Sequence, residues 1–297
     1  MRSTSITCGV IVTGTAPSYD RLMTAASHAP ARQPTAHRTA ERRSVGALLR
    51  DWRGRRRLSQ LQLACRAEVS ARHLSFIETG RSRPTRDMII KLADQLDVPL
   101  RERNTLLLAA GHAPAYPVGD LEGPELCTVV SALRGVLTGH DPYPALLVDR
   151  HWTLVDANPA VALLTGGVAA ELLVAPVNVL RLSLHPDGMA PNIVNLAQWR
   201  AHVLHRLHRQ AAATGDAELL KLHDELAGYP GGEPEGAVEG LAVPLRYRLD
   251  GHELCFVSFT AVLGTPLDVT LAELAVEAFL PADPATAELL HARRSSR

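Results

Sequence analysis

The sequence predicts a multidomain chain, with a small all-helical domain ahead of an α+β domain, and three observations carry that reading. Residues 44–110 hold a succession of short apolar-periodic segments separated by helix caps, without a strand pattern. Residues 241–263 instead alternate apolar and polar side chains around an Asp250-Gly251 turn. Between the two, GHAPAYPVGDLEGPE (111–125) holds three prolines and three glycines, the composition of a linker. The expected organisation is a disordered tail at 1–43, a helical domain at 44–111, a linker at 112–125 and an α+β domain at 126–292.

Charge divides at the same place. The 31 basic and 31 acidic residues cancel over 297 positions, yet residues 1–110 carry 19 Lys and Arg against 9 Asp and Glu, leaving 12 against 22 for the remainder. A basic front half joined to an acidic back half suggests a nucleic-acid module fused to one that does not touch nucleic acid. Hydrophobic residues make up 46% of the chain, enough to bury two cores. Cys8, Cys65, Cys127 and Cys255 lack CxxC spacing and read as reduced thiols of a cytoplasmic protein. Residues 6–16 are mildly apolar but lack the flanks of a secretion signal, and Met23 leaves a later start open. No apolar run approaches the length of a membrane span, so no membrane contact is expected.

The tail is rich in Ala, Thr, Ser, Pro and Arg without periodicity; Arg32, Arg38, Arg42 and Arg43 either brush phosphates or stay idle. Ser44 caps a helix reaching residue 56, with Val45, Leu48, Leu49 and Trp52 on its apolar stripe. Ser59 caps the next, with Leu61 and Ala64 expected to face inward. Ala67-Glu68-Val69 turns the chain, Val69 tucking into the core. Ser70 caps residues 71–78, and Gly80 stops that helix from the C′ position. Leu74 and Ile77 share the inward face. This is a helix-turn-helix with a polar outward side. Pro84 and Thr85 open a fourth helix, 86–96, with Met88, Ile89, Leu92 and Leu96 at helical spacing; a fifth, 100–110, ends at Gly111.

In this stretch, LSQLQLA followed by VSARHLSFIETGRSRP resembles the xenobiotic-response-element-like (XRE) helix-turn-helix regulators. The resemblance implies a five-helix fold that binds double-stranded operator DNA, as a homodimer on a two-fold symmetric site. Arg72, near the start of the second helix of the motif, is placed to read guanine, which Arg grips through O6 and N7. Ala71 and Phe76 neighbour it outward, where an apolar edge meets a thymine methyl, although Phe76 also reads as core. Ser70 and Ser75 complete the set. Gln60 matches the family Gln that grips a phosphate and props the reading side chain. Arg81 and Arg86 are candidate phosphate contacts. Glu78 reads as structural, tied to a nearby Arg.

Behind the linker, residues 126–137 form a helix ending at Gly139, and 145–149 and 152–157 two strands. Asn158-Pro159 opens a helix to residue 164; longer helices follow at 195–213 and 217–227. Leu241, Val243, Leu245, Tyr247 and Leu249 make a period-two strand. Across the turn, Cys255, Val257, Phe259 and Ala261 share one face of its partner, taken as inward. Residues 273–280 form a last strand, and Asp283 caps a closing helix with Pro284 at its first position. The expected domain is an antiparallel sheet with helices on one face. HDPYPALLVDRHWTLVDANPA (140–160) and ELAVEAFLPADPATAELL (273–290) resemble the PAS-like, MmyB-like ligand-binding domain that follows XRE modules, so that the two resemblances cover roughly residues 44–292. That implies a small apolar ligand, a fatty acid or similar compound. The inward faces offer Leu146, Val148, Trp152, Leu154, Phe256 and Phe259 as cavity walls, each also readable as filled core.

Other chemistry finds no support. His202, His205 and His208 drift about 60° per step around their helix and read as a solvated face rather than a metal site. His185-Pro-Asp-Gly reads as a turn. There is no GxSxG, no P-loop and no GxGxxG after a strand. No catalytic residue, metal or cofactor is therefore expected. The sequence points to a ligand-sensing DNA-binding regulator; the alternatives are a DNA-tethered interaction adaptor and an enzyme acting on a small molecule.

Overall fold

The computed structural model describes residues 43–234 and 242–295. The tail expected at 1–43 lies outside these residues except for Arg43, which pairs with Asp51. Leu241 also lies outside them.

Among the described residues five helices come first: α1 (Val45–Arg55), α2 (Gln60–Arg66), α3 (Ala71–Glu78), α4 (Arg86–Gln95) and α5 (Leu100–Ala109). Each of the first four is started by a hydroxyl cap. Ser44, Ser59, Ser70 and Thr85 accept from backbone N–H groups of the first turn, and Ser59 forms a reciprocal capping box with Gln62. Gly80, at φ +75°, ends α3 in the left-handed region that glycine enters without strain. Leu49, Leu63, Leu74, Ile89, Leu92 and Leu106 anchor one core. Gly46 lets α1 cross the end of α3, since a Cβ there would sit 2.3 Å from the Ile77 carbonyl oxygen. Leu61 departs from expectation and is 64% exposed. The inward arc of α2 is Gln60, Leu63, Ala64 and Ala67, and Leu61 lies about 100° from Gln60, outside it.

The second domain begins with α6 (Cys127–Gly139). It continues through β1 (Ala145–Val148), β2 (Leu154–Ala157), a 3₁₀ turn, α7 (Ala162–Thr165), α8 (Val179–Leu184), α9 (Leu196–Thr214) and α10 (Ala217–Ala227). It ends with β3 (Leu245–Leu249), β4 (His252–Val262), α11 (Val269–Ala272), β5 (Ala275–Pro281) and α12 (Pro284–Ser295). The strands form one antiparallel sheet in the order β2-β1-β5-β4-β3. Asp250-Gly251, both at positive φ, turn β3 into β4.

Helices pack on both faces of this sheet, not one. Helices α8, α9 and α10 pack on the inner face around Trp152, Leu154, Trp199, Val203, Tyr247 and Phe256. On the outer face α6 sets Leu126, Val130 and Leu137 against Ala145, Leu147, Val276 and Ala278. Strand β4 also presents the opposite face from the one expected. Leu245 and Tyr247 point inward, and their direct partners across the hairpin are Phe256 and Leu254, so these are the buried residues. Directly opposed residues share a face, and successive residues alternate. Cys255, Val257, Phe259 and Ala261 therefore face outward.

The expected linker is hydrogen-bonded to both domains. Asn104 of α5 accepts from the amides of Ala115 and Tyr116, and Asp268 accepts from the amide of Gly119 at 2.7 Å. Arg101 forms a two-pronged pair with Glu273 at 2.7 and 2.7 Å, and Arg56 donates to the carbonyl of Ala213 at the end of α9. No described helix is long and apolar enough to cross a membrane.

Candidate DNA-reading and ligand-binding sites

Helix α3 presents Arg72 fully outward, its guanidinium lying 5.4 Å over the Phe76 ring. Stacking on an aromatic face holds a guanidinium without consuming its donors. Phe76 is half-buried, serving as platform and partial core at once. Ala71 and Ser75 are also half-exposed beside it, and the Ser70 hydroxyl is occupied in capping His73 N–H. Arg81 and Arg86 are exposed at the loop after α3 and at the start of α4.

Glu78 does not face that surface. Only 4% exposed, it accepts from Arg53 Nε at 2.7 Å, Arg53 Nη2 at 2.9 Å and Gln60 Nε2 at 2.8 Å, with Arg50 at 3.6 Å. Burial alone would raise its carboxyl, but the hydrogen bonds from Arg53 and Gln60 outweigh it and hold the group below the ordinary carboxylate range. The same contact raises Arg53. One carboxylate thus ties α1, α2 and α3 together. Gln60 spends its amide on Glu78, not on Arg72.

In the second domain a cavity of about 60 Å³ opens between the inner sheet face and helices α8 and α9. Leu146, Trp152 and Leu154 line it, with Val203, Leu180 and Phe279. Val148 and Phe256 are buried in the same core but do not line the cavity, and Phe259 lies on the other side of the sheet. These three are set aside as walls. Val148 and Phe256 are ordinary filled core, and Phe259, three residues from inward Phe256, falls on the opposite face.

The cavity has one polar side, which sequence reasoning missed. Arg206 Nη1 donates to Glu277 Oε1 at 2.8 Å while its guanidinium stacks 4.3 Å over Trp152. Thr260 Oγ1 donates to Glu277 Oε2 at 2.6 Å, and Trp199 Nε1 to Ser183 Oγ at 3.0 Å. Arg206, Glu277, Ser183 and Thr165 all reach the cavity wall. The available signal was the spacing Trp199, Val203, Arg206 on one face of a long helix. Of the three histidines on that helix, His202 stacks on Trp199, and burial followed by the Arg206 charge lowers its pKa. Among the described residues no cluster of His, Cys, Asp and Glu is arranged to hold a metal ion.

Helix α9 runs from this cavity to the helical domain. Trp152 Nε1 donates to Gln210 Oε1 at 2.8 Å, and Gln210 Nε2 donates to the Arg150 carbonyl. Arg150 lies 3.7 Å from Asp216 and 3.4 Å from Glu273, the partner of Arg101. Beyond α9, Gly215 at φ +69° makes room for Arg55, whose guanidinium nitrogen a Cβ there would meet at 1.3 Å.

Comparison with known proteins is specific at the level of domains. The family model described as "MmyB-like transcription regulator ligand binding domain" matches residues 129–292, more than half of the chain. The model described as "Helix-turn-helix domain" matches residues 44–106. No curated protein matches. Among solved structures, an RNA-binding light-oxygen-voltage receptor is similar at 16% identity and a TM-score of 0.25, over 85% of this chain. The alignment spans 63% of that receptor's chain, and at this TM-score the likeness carries no argument.

Proposed function

We propose that this chain, which belongs to the MmyB-like transcription regulators, recognises a two-fold symmetric operator as a homodimer and releases or grips it according to an apolar molecule held in the second domain. The coarser part follows from the two domains themselves: a helix-turn-helix beside a ligand-binding domain makes a DNA-binding transcription regulator. The finer part rests on one observation. Helix α9 supplies Trp199, Val203 and Arg206 to the cavity, and its far end accepts from Arg56 of the helical domain.

In this reading Arg72 reads a base edge in the major groove, with Phe76 as its platform. Gln60 holds the reading helix through Glu78, while Ser70, Ala71, Ser75, Arg81 and Arg86 border the phosphate path. The ligand is an apolar chain with a polar head, a fatty acid being the simplest case. Leu146, Trp152 and Leu154 contact the chain, and Arg206 and Ser183 meet the head. The cavity's 60 Å³ holds a few waters by that measure. An extended acyl chain therefore has to displace its walls, and α9 is one of them. The motion reaches the helical domain through Arg56 and through the Arg150, Asp216, Glu273 and Arg101 cluster. The protein acts by binding rather than catalysis, in the cytoplasm.

Thermal unfolding of the full chain with a series of medium-chain fatty acids tests the ligand. At a hundredfold excess over its dissociation constant, a bound ligand stabilises the native state by about 2.7 kcal/mol. A flat response across the series, with no small molecule carried through purification, overturns the sensor and leaves a DNA-tethered adaptor.

A further inference from the structure

The outward face of β4 is absorbed neither by the ligand site nor by the DNA-reading helix. On it Val257 is 39% exposed and Phe259 42%, beside Leu280 of β5 at 41%. Val136 of α6, 56% exposed, borders the same patch. Helix α6 covers the β1 and β5 half of the outer sheet face and stops short of β4. A groove of about 140 Å³ remains, and no Lys, Arg, Asp or Glu lines it. His140 sits in its wall, edge-on to Tyr143 and Phe259, and its buried Nε2 finds no hydrogen-bond partner among the described residues.

We infer that a second copy of this chain occupies this patch, face to face about a two-fold axis, and that it is the dimer contact on which the regulator's operator binding depends. The inference rests on the homodimer reading above and names its surface. Three arguments select a second copy over another partner. A helix-turn-helix reads one half-site, so a symmetric operator requires two chains related by a two-fold axis. An isologous contact needs a self-complementary surface, which an uncharged apolar face provides. The size also fits. The four exposed apolar side chains leave on the order of 300 Å² open, well over half of the apolar share of the ~800 Å² that each partner buries in a standard interface.

The test uses the full chain. Sedimentation velocity over a concentration series is run on the wild type and on the double variant Val257→Lys with Leu280→Lys, in which like charges meet across the axis. Both positions are already solvent-exposed, so the fold is expected to survive, as judged by circular dichroism. The expected result is a wild-type dimer and a dissociation constant raised about tenfold or more in the variant. On the wild type alone, hydrogen exchange read by mass spectrometry should show residues 257–262 protected above the dimer dissociation constant and exposed below it. A folded variant that dimerises like the wild type overturns the inference while the homodimer survives through another face, and so does exchange at 257–262 that ignores concentration. A wild type that stays monomeric at every concentration and on DNA overturns both. Should the variant fail to fold, the wild-type exchange measurement decides.

Discussion

Replacing Glu78 with Ala separates holding DNA-binding residues in place from contacting DNA. The carboxylate is 4% exposed and satisfies Arg53 and Gln60 together. Breaking a buried ion pair by removing one partner costs about 3–5 kcal/mol, because the other charge is left uncompensated. Two features lower that figure here. The Arg53 side chain is 15% exposed, and its Nη1 keeps a hydrogen bond to the Leu58 carbonyl at 2.9 Å. About 2–3 kcal/mol is the working value. In a domain of this size each kcal/mol moves the midpoint by about 4–8 °C, so the helical domain should melt about 10–20 °C earlier. Differential scanning calorimetry of the full chain reads this as a shift in the transition assigned to that domain. Glu78→Gln keeps the shape and part of the hydrogen bonding, and should lose less. Operator affinity below the melt should fall without any change in which base pairs are preferred. An unchanged midpoint combined with altered base preference would refute the reasoning and make Glu78 a base reader.

Arg72→Ala should cost about 1–3 kcal/mol of discrimination at one base pair per half-site, measured by competition between operator and single-base variants; equal weakening on all sequences would reduce Arg72 to a phosphate contact. Val203→Phe places a ring in the 60 Å³ cavity and should abolish the fatty-acid thermal shift while Arg72-dependent DNA binding persists, at a stability cost of about 1–3 kcal/mol from overpacking; a retained shift would move the ligand elsewhere. For Asp216, burial raises the carboxyl, but hydrogen bonds from His151 and the Glu218 amide, with the Arg150 charge, bring it down to about 2 from 3.8. A depressed carboxyl stabilises the fold fully above pH 4 and loses that contribution as pH falls towards 2. Asp216→Asn keeps the cap on α10 but removes the charge, so urea unfolding of the variant should show a flatter loss of stability across that window; an unchanged acid limb would mean that Asp216 contributes nothing through its charge.

The helical domain was legible because its signals are local. Ser44, Ser59, Ser70 and Thr85 each accept from the N–H three residues on, at the start of the helix they cap, and Gly80 closes α3. Leu61 was misread because two leucines in seven residues leave the arc undecided until the partner helix is known. The sheet was legible as strands but not as faces. Period two gives β4 two sides without saying which is inward, and that is settled only by its pairing with Leu245 and Tyr247. All four residues of β1 are buried, so no alternation separates Leu146 from Leu147. The polar side of the cavity joins Arg206 to Glu277 across 71 positions, beyond any local pattern.

The claim that cavity occupancy sets operator affinity is tested most directly by one titration. The full chain is titrated onto a labelled duplex that it has selected from a random library, with and without a saturating fatty acid already shown to shift its melting. The account predicts an affinity change of about fivefold or more, and by linkage the same factor in fatty-acid affinity when the duplex is present. A ligand that shifts melting while leaving operator affinity unchanged in either direction would contradict it.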